Sequence, residues 1–410
     1  MEGVVTDAAP PCRFCGAPLR HSFADLGTTP LANSYVEDPR ASERVFPLHA
    51  YVCGECFLVQ LPESATPAEI FSDYAYFASY STSWVEHARR YVERAVERFS
   101  LGTDSRVVEL ASNDGYLLQF FVERSIPALG VEPAANVARV AEERGIPTVV
   151  RFFGRAVGEE LRADGVADLI IANNVLAHVP DLNDFVAGIA TLLAADGAAT
   201  VEFPHLLRLI GETEFDTIYH EHFSYFSLLT VERVFAAHGL HLFDVEELPT
   251  HGGSLRIYLR HEDGEASTAV DELRRRELDA GLADVAVYEQ FDGRVREAKR
   301  SLLEFLIGVK RDGRSLAAYG AAAKGNTLLN YCGVRTDFVD FVADRSPHKQ
   351  GRFLPGTRIP IVPPERIDQA RPDFLLLLPW NLADEIEEQL AYVREWGCRF
   401  VTPIPTVRVH

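Results

Sequence analysis

The sequence predicts an α/β protein whose central unit is a doubly wound sheet with an antiparallel last strand. Short apolar runs alternate with helical stretches between residues 105 and 260, which is typical of strands joined by helical crossovers. The last two runs are joined by the short turn PTHGG, so we expect an antiparallel pair at one edge. A cysteine-containing segment precedes this unit, and a second, Rossmann-like α/β pattern follows it. The predicted units are a small module (1–70), the central domain (71–262), a helical bridge (263–312) and the second α/β domain (313–410).

Each element follows from a local pattern. The apolar runs that predict the central strands are 106–110, 128–132, 168–173, 199–203, 241–248 and 255–260. An amphipathic helix is predicted over 84–99, directly after an aromatic, hydroxyl-rich stretch over 71–84. A long helical segment is predicted over 282–311, because leucine and valine recur on one face. The second α/β unit opens with a strand, a small-residue loop and a helix in SLAAYGAAAKGNTLLNY.

Composition restricts the possible partners. The chain has 410 residues, with 40 basic and 60 acidic side chains and a net charge of −20. Such a surface repels phosphate backbones, so we expect neither nucleic acid nor an anionic membrane as a partner. The sequence contains no run of eighteen apolar residues and no visible secretory signal. We therefore expect a cytoplasmic protein, and no pattern points beyond a monomer.

Four of the six cysteines form two CxxC pairs. The pairs are Cys12 with Cys15 and Cys53 with Cys56, and FPLHAYVC before the second pair predicts a strand. Two such turns can supply the closed four-sulfur shell of a structural zinc site. Gly16 and Gly54 lie where these turns need a relaxed backbone. Unrelated reduced thiols or a redox CxxC are the alternatives, and we favour zinc.

The loop after the first central strand, ELASNDG, predicts a nucleoside-type cofactor site. A small-residue turn at the carboxyl end of a strand lets a ligand approach the backbone, and an acid ending the next strand can bind ribose hydroxyls. The loop has one glycine and two acids, which suits a cationic centre better than a pyrophosphate. This combination favours S-adenosylmethionine. The predicted cofactor residues are Glu109, Ser112, Asn113, Asp114, Gly115, Glu132, Phe152, Phe153, Asn173 and Asn174.

Several motifs in chain order resemble one enzyme family. They are CRFCG, DLG, PLANS, CGEC and VQL, then VELASNDGYLL, NNVLAHV, FDTIYHEHFSYFS and HGGSLR, and finally YGAAAKGNTLLNY. Together they resemble the nucleotide-sugar C-methyltransferases of deoxysugar biosynthesis, and the resemblance covers nearly the whole chain. It implies a class I methyltransferase-like fold and three domains. These are a zinc-binding N-terminal module, a central S-adenosylmethionine domain and a C-terminal domain that helps hold a dTDP- or GDP-linked keto sugar.

The segment FDTIYHEHFSYFS concentrates acid, base and hydroxyl groups on the cofactor rim. Carbon methylation needs an enolate, so it needs a base that titrates near neutrality and a donor for the developing oxyanion. We expect His222 to remove the proton alpha to the ketone, although the residues alone leave His220 open. Glu221, Tyr219 and Tyr76 are expected to bind sugar groups, and His178 is a second candidate for steadying the enolate oxygen. The resemblance implies the same five positions and methylation at C-3', with C-5' as the near alternative.

Further substrate contacts are expected at the junction with the last domain. Backbone amides near Gly320 with Lys324 could hold a diphosphate, and Asp344 is a weaker ribose candidate. The predicted substrate residues are Tyr74, Tyr225, Gly252, Gly253, Arg256, Tyr319, Lys324 and Asn326. A metal at YHEHF is disfavoured, because residues two apart point to opposite faces of a strand.

Two other functions remain open from the sequence. One is an NAD-dependent sugar-nucleotide oxidoreductase that uses the C-terminal domain, although its loop lacks the full glycine spacing. The other is a non-catalytic, zinc-bearing interaction protein, which would leave the crowded YHEHF segment without a role.

Overall fold

The computed structural model describes residues 9–66, 69 and 78–410, and contains three β-sheets. The predicted site residues Tyr74 and Tyr76 lie outside the described residues. No helix of the described part is long and apolar enough to cross a membrane.

The strands, numbered in chain order, are β1 His21–Thr29, β2 Phe46–Val52, β3 Val59–Gln60, β4 Val107–Leu110, β5 Ala128–Val131, β6 Thr148–Val149, β7 Ala167–Asn173, β8 Leu193–Pro204, β9 Ser224–Tyr225, β10 His241–Leu248, β11 Ser254–Arg260, β12 Leu316–Tyr319, β13 Val342–Ala343, β14 Ile361–Val362, β15 Phe374–Leu377, β16 Arg399–Thr402 and β17 Arg408–Val409. The α-helices are α1 Thr82–Arg98, α2 Gln119–Val122, α3 Ala135–Glu143, α4 Arg155–Ala163, α5 Leu182–Leu192, α6 Leu206–Gly211, α7 Leu228–Ala236, α8 Thr268–Asp279, α9 Val285–Glu289, α10 Phe291–Arg311, α11 Ala323–Cys332, α12 Glu365–Ala370 and α13 Ala383–Gln389.

The central sheet has the strand order β10-β11-β8-β7-β4-β5-β6. Its strands run parallel except β11, which pairs antiparallel with both β8 and β10. The prediction of an antiparallel pair at one edge is therefore confirmed. The strand order reverses between β4 and β7, and in such sheets a ligand binds beyond the carboxyl ends of the strands at that point. The structure thus puts the loop after β4 and the end of β7 at the same crevice.

The N-terminal module has an antiparallel sheet in the order β1-β2-β3-β9. Its last strand, Ser224–Tyr225, does not belong to the N-terminal segment, because it follows directly after the YHEHF segment of the central unit. The main chain of Leu61 also donates to the carbonyl of Phe223. The segment with the candidate catalytic histidines is therefore held by the sheet of another module.

The helical bridge and the C-terminal sheet complete the fold. The predicted helical segment 282–311 forms two helices, α9 and α10, that meet at Gln290. Phe291 of α10 stacks on Phe23 of β1 with ring centroids 4.4 Å apart, and one continuous hydrophobic cluster joins β1, α10 and β12. The C-terminal sheet has the order β14-β13-β12-β15-β16-β17, and only β17 is antiparallel. All three parts of the chain therefore share a core.

Gly188 of α5 permits a close approach between α4 and α5, which flank the central sheet. A Cβ at Gly188 would lie 2.7 Å from the Gly154 backbone and 2.8 Å from the Phe153 ring. We expect Gly188→Ala to reduce the free energy of unfolding by about 1–3 kcal/mol, because the helices must separate. The matched change Gly293→Ala in α10 meets no atom within 4 Å and should stabilise slightly, since alanine favours helix. Urea denaturation of both variants measures the difference, and equal stabilities would contradict this packing.

Candidate active site

The four cysteines of the two CxxC pairs form one cluster. Their sulfur atoms all lie within 4.8 Å of one another, with Cys12 Sγ 3.6 Å from Cys56 Sγ and Cys15 Sγ 3.5 Å from Cys53 Sγ. Tetrahedral zinc with Zn–S bonds of about 2.3 Å requires sulfur atoms about 3.8 Å apart, so the donor set fits this ion. The four cysteines could therefore hold one metal ion.

The two cysteine turns have the same hydrogen bonds but different residues at the strained position. Gly16 donates its N–H to the Cys12 carbonyl, and Phe57 donates its N–H to the Cys53 carbonyl. Gly16 has φ 76° and Phe57 has φ 61°. The expectation for Gly54 is therefore wrong, because the left-handed residue is the one four positions after the first cysteine. In the second turn that residue is a phenylalanine.

The cysteine module docks next to the catalytic segment. Arg13 donates from Nη1 to the Pro180 carbonyl at 2.6 Å, and the amide of Asn183 donates to the Phe14 carbonyl at 2.9 Å. Thr230 of α7 donates its hydroxyl to the Cys56 carbonyl. The two cysteine turns therefore support the loop that follows β7.

The loop after β4 has an unusual backbone. Ala111, Asn113 and Gly115 have φ values of 55°, 50° and 76°. A Cβ at Gly115 would lie 2.3 Å from Ile146 Cδ1, so only glycine fits there. The alternating left-handed residues turn the chain sharply from β4 into the following helix. This is the backbone shape that allows a ligand to approach closely.

Two buried acids face each other across the end of β4 and β5. Glu109 is 1% exposed, and its Oε2 has no hydrogen-bond partner among the described residues. Burial, with the nearby Glu132 and Asp114, raises its pKa well above the usual value. Glu132 accepts from the amides of Asn113 and Ala134, and each oxygen keeps a second lone pair for a ribose hydroxyl.

Three predicted cofactor residues make structural contacts, although Ser112 Oγ and Asp114 Oδ1 have no hydrogen-bond partner among the described residues. Ser112 is fully buried against Gly130 of β5, where a Cβ would lie 2.3 Å from the serine hydroxyl. Asn113 Oδ1 accepts the N–H of Ala78 at 2.9 Å. Asp114 is buried, accepts from the Ser79 hydroxyl and lies 3.4 Å from Arg144. Asn113 and Asp114 thus anchor the chain just before α1.

Some of the other predicted cofactor residues keep unpaired or exposed groups, and one packs into the core. Asn173 and Asn174 end β7, and Asn173 Oδ1 and both side-chain atoms of Asn174 lack partners among the described residues. Phe152 is 51% exposed, whereas the Phe153 ring packs edge-on against Phe185 at 5.5 Å. Phe153 is therefore a core residue, and Phe152 keeps an open ring. Unsatisfied buried acceptors at Glu109 and Asn173 fit the amino and hydroxyl groups of S-adenosylmethionine.

His222 lies at the centre of the YHEHF segment. Its Nδ1 donates to the Thr217 carbonyl at 2.9 Å. The His178 ring stands edge-on at 4.7 Å, and the Tyr219 ring lies 4.1 Å away. Burial lowers the pKa of His222 well below its usual value, and burial lowers that of His178 to about 4. Both imidazoles are therefore neutral at neutral pH.

Glu221 and His220 point to different partners. Asn33, from the PLANS segment of the N-terminal module, donates to Glu221 Oε1 at 2.6 Å. Burial raises the pKa of Glu221 to about 7 despite this bond. His220 instead donates from Nε2 to the Pro47 carbonyl at 3.1 Å, and its ring packs against Phe46. His220 therefore belongs to the contact with β2, while His222 faces His178.

The C-terminal domain reaches the same region through Lys324 and Trp380. Lys324 Nζ donates to Asn381 at 2.8 Å and lies 4.5 Å from the centre of the Trp380 ring. Trp380 donates its indole N–H to Asp216 at 2.8 Å. Burial raises the pKa of Asp216 to about 6 and that of Glu214 to about 7. The Lys324 ammonium and the carboxyl groups of Glu214 and Asp216 therefore lie near one another at the junction of the central and C-terminal domains.

Gly252 and Gly253 allow this junction to close. A Cβ at Gly252 would lie 2.4 Å from Glu214 Oε1 and 3.0 Å from Trp380, and a Cβ at Gly253 would lie 2.8 Å from Arg208. Their φ values of 94° and 133° also exclude other residues without strain. These glycines therefore accommodate the protein's own side chains.

Arg256, predicted as a substrate contact, is enclosed by the protein's own side chains. It is fully buried and contacts Glu202 at 2.7 Å and Glu246 at 3.0 Å, with its guanidinium 4.4 Å from the centre of the Tyr91 ring. Although burial alone would raise it, contacts with His87 and Arg256 lower the pKa of Glu202 to about 2. Arg256 is therefore a structural cation, because Nη1 and Nη2 bond to buried or half-buried acids, and only Nε has no hydrogen-bond partner among the described residues. Sequence reasoning placed it beside a flexible turn without seeing the acids across the sheet.

The C-terminal loop also differs from the expectation. The amides of Gly320, Ala321 and Ala322 already bond to the chain, Ala321 to the Asp344 carboxylate at 2.7 Å. Asp344 also accepts from the Ser346 amide, so it shapes the loop and is not positioned for ribose.

The remaining predicted substrate residues lie in buried positions. Tyr319 is 6% exposed within the cluster on the outer side of the C-terminal sheet. Asn326 is buried in α11, and its side-chain amide has no partner among the described residues. Tyr225 is buried with its ring 6.1 Å from His222.

Sequence reasoning missed several residues of the site. They are Asn33, His87, Glu202, Glu214, Asp216 and His251, whereas Trp84 ends the aromatic stretch that the sequence analysis singled out. Asn33, Asp216 and His251 lie within the motifs PLANS, FDT and HGGSLR, and polar residues inside such motifs were an available signal. His87 and Glu202 carry no local signal, because only the fold brings α1 to the end of β8.

The strand order with β11 reversed, together with the tight loop after β4, defines the class I fold of S-adenosylmethionine-dependent methyltransferases. Three family models match consecutive parts of the chain. Residues 12–71 match a "putative zinc binding domain", residues 84–245 a methyltransferase domain and residues 249–405 a C-methyltransferase C-terminal domain.

A whole-length relative defines the family more closely. The chain is 39% identical over 403 residues to C-methyltransferase NovU of Streptomyces niveus, which covers 97% of this chain and 96% of the relative. The chain therefore belongs to the C-methyltransferase family and is an S-adenosylmethionine-dependent enzyme of that family, which confirms the resemblance.

Two solved structures also align. The PH0226 protein from Pyrococcus horikoshii OT3 has TM-score 0.37 and 13% identity, covering 48% of this chain and 98% of that chain. A methyltransferase from Clostridium acetobutylicum ATCC 824 has TM-score 0.35 and 9% identity, covering 44% and 92%.

The buried position of Arg256 leads to a stability prediction. We expect Arg256→Met to lower the free energy of unfolding by about 3–5 kcal/mol, because Glu202 would remain buried without its cation. Arg94→Met is the matched control, since Arg94 contacts the same Glu246 but its side chain is 56% exposed; its loss should cost less than about 1 kcal/mol. Thermal and urea unfolding measure both, and similar effects would contradict the structural role of Arg256.

Proposed function

We propose that this enzyme methylates a carbon next to the ketone of a nucleotide-linked deoxysugar, with His222 as the base. The observation that carries the proposal is the hydrogen bond from His222 Nδ1 to the Thr217 carbonyl. A carbonyl oxygen can only accept, so Nδ1 bears the proton and Nε2 keeps its lone pair. A buried, neutral imidazole with a fixed tautomer is suited to remove a proton from carbon.

The surroundings of His222 support a polar sugar as the substrate. The ring centres of Tyr219 and His178 lie 4.1 and 4.7 Å from that of His222, and both side chains carry hydrogen-bonding groups. Glu221 has a pKa of about 7 and can both accept from and donate to a hydroxyl or amino group. The acidic surface also requires that a negatively charged nucleotide be bound by local cations, and Lys324 at the domain junction is the candidate. We propose C-3' as the position, with C-5' as the alternative.

The cofactor site can be assigned to the rim of the central sheet. Glu109 and Glu132 would accept from the amino and ribose hydroxyl groups, while Asn173 and Phe152 border the same crevice. When bound, S-adenosylmethionine supplies an electrophilic methyl group on a positively charged sulfur. The task of the protein is to hold the sugar carbon in line with that group while water is excluded.

We expect His222→Ala to reduce methyl transfer at least 10²-fold while S-adenosylmethionine still binds, because the base acts on the sugar and not on the cofactor. The assay uses dTDP- and GDP-linked 4-keto-6-deoxysugars and detects the added methyl group by mass spectrometry. Exchange of the alpha proton in D2O without cofactor should be lost in parallel. His220→Gln is the control and should keep most activity, since His220 bonds to Pro47. Equal loss in both variants, or loss of cofactor binding, would contradict the assignment.

The same exchange reaction has a predictable pH dependence. Since the pKa of His222 is lowered, its neutral form persists as the pH falls through 6.5. Glu221, with a pKa of about 7, also titrates in this interval, so the test uses Glu221→Gln, whose exchange rate at pH 6 should stay within about twofold of its rate at pH 7.5. An imidazole with the ordinary pKa of about 6.5 would lose roughly fourfold over that interval.

We also propose that the cysteine cluster holds one zinc ion with a structural role. Metal analysis of the purified protein should find about one zinc per chain, and Cys56→Ser should lose it and lower solubility before activity per folded molecule falls. Cys332→Ser is the matched control, because Cys332 is a buried thiol outside the cluster. A metal-free wild-type protein of full stability would refute the assignment.

A further inference from the structure

The turn between β10 and β11 holds an imidazole that the mechanism above leaves unused. His251 has φ 57°, a left-handed conformation that costs a non-glycine residue about 1–3 kcal/mol. Its Nε2 atom is buried and has no hydrogen-bond partner among the described residues. Strain and an unsatisfied buried nitrogen at one residue are both unfavourable for folding alone. Their coincidence points to a role with a ligand.

The surrounding contacts fix His251 in place. The Thr250 carbonyl accepts from the Gly253 amide at 2.8 Å and from the Ser254 hydroxyl at 3.0 Å, and the Thr250 hydroxyl donates to Glu202 at 3.2 Å. The Trp84 ring lies edge-on to the imidazole at 5.2 Å. Both ends of the turn and one face of the ring are therefore held by the central domain.

His251 lies between the cofactor loop and the catalytic segment. Trp84 also stacks on Tyr116, directly after Gly115 of the cofactor loop, with centroids 6.3 Å apart. On the other side, His251 is close enough to His222 and His178 to lower their pKa values, and Lys324 in turn lowers that of His251. Burial is the main cause of the His251 pKa of about 4, so this ring is neutral at neutral pH.

We propose that His251 is a further catalytic residue, which donates its Nε2–H to the ketone oxygen of the sugar while His222 removes the adjacent proton. This inference rests on the proposed function. His178 is less suited to the task, because one of its nitrogens bonds to the Glu221 main-chain carbonyl. A neutral imidazole can polarise a carbonyl without giving up its proton, and a positioned donor of this kind contributes about 10²–10³-fold to a rate.

The proposed step balances. The C–H bond breaks and its proton goes to His222 Nε2, while the electron pair forms the carbon–carbon double bond of the enolate. The former carbonyl π pair moves to the oxygen, which His251 holds. With S-adenosylmethionine bound, the enolate carbon would take up its methyl group while the methyl–sulfur bond breaks with its pair on sulfur, and the ketone would re-form. His222 later releases its proton to water.

The test separates the donor from the backbone strain. In His251→Gly the turn keeps its left-handed conformation without strain, so the variant should fold as well as the wild type. We expect methyl transfer and cofactor-free deuterium exchange into dTDP-4-keto-6-deoxyglucose to fall together by about 10²–10³-fold. Binding of S-adenosylmethionine by calorimetry should be unchanged. His251→Asn tolerates the same backbone and offers an amide donor, so it should recover part of the exchange rate.

The outcomes are distinguishable. Exchange in His251→Gly within about threefold of the wild type, with the wild type active, overturns the role of His251 and leaves the proposed function intact. A loss of cofactor binding in this variant also overturns it, since His251 would then support the cofactor loop through Trp84. A wild-type protein that neither exchanges nor methylates any keto nucleotide sugar overturns the proposed function and this inference together.

Discussion

Removal of water from one junction determines the chemistry of this enzyme. His178, His222 and His251 meet where the central domain, the N-terminal module and the C-terminal domain come together, and burial makes all three imidazoles neutral by lowering the pKa of each. The same burial raises the pKa of Glu221 to about 7. Bases and acids with these properties would not exist on an exposed surface, because water would restore their ordinary pKa values. The active site therefore depends on the docking of all three parts.

The N-terminal module contributes more than a metal cluster. Its sheet accepts β9, which follows the YHEHF segment, and its Asn33 donates to Glu221. The cysteine turns in turn bond to Pro180 and Asn183, just beyond His178. A metal that orders these turns would thus stabilise the two loops that carry His178 and the proposed base His222. These contacts give a physical reason why the four-cysteine module and the methyltransferase domain occur in one chain.

Two buried acids at the junction are paired across elements: Glu202 bonds to Arg256 and Asp216 accepts from Trp380. Glu214 is also buried and is stabilised by the charge of Lys324, although its Oε1 has no hydrogen-bond partner among the described residues. Because an unpaired buried charge is strongly destabilising, these pairs favour a single arrangement of the domains. Gly252 makes the arrangement possible, since any side chain there would collide with Glu214. A turn that looks flexible in the sequence is therefore a closely packed contact.

Local properties of the chain were enough to predict the strand pattern of the central sheet, its reversed strand, the four-cysteine cluster and the family, because periodicity, CxxC spacing and ordered motifs can be recognised without the fold. The sequence also indicated the YHEHF segment as the site of the base, but it did not distinguish His220 from His222 in that role. Only the tertiary structure turned His220 toward Pro47, enclosed Arg256 between two acids, and brought Trp84 and His251 together. The physical reason is that burial and hydrogen-bond partners come from residues far apart in sequence, and no local pattern records which side chains will share the same water-free space.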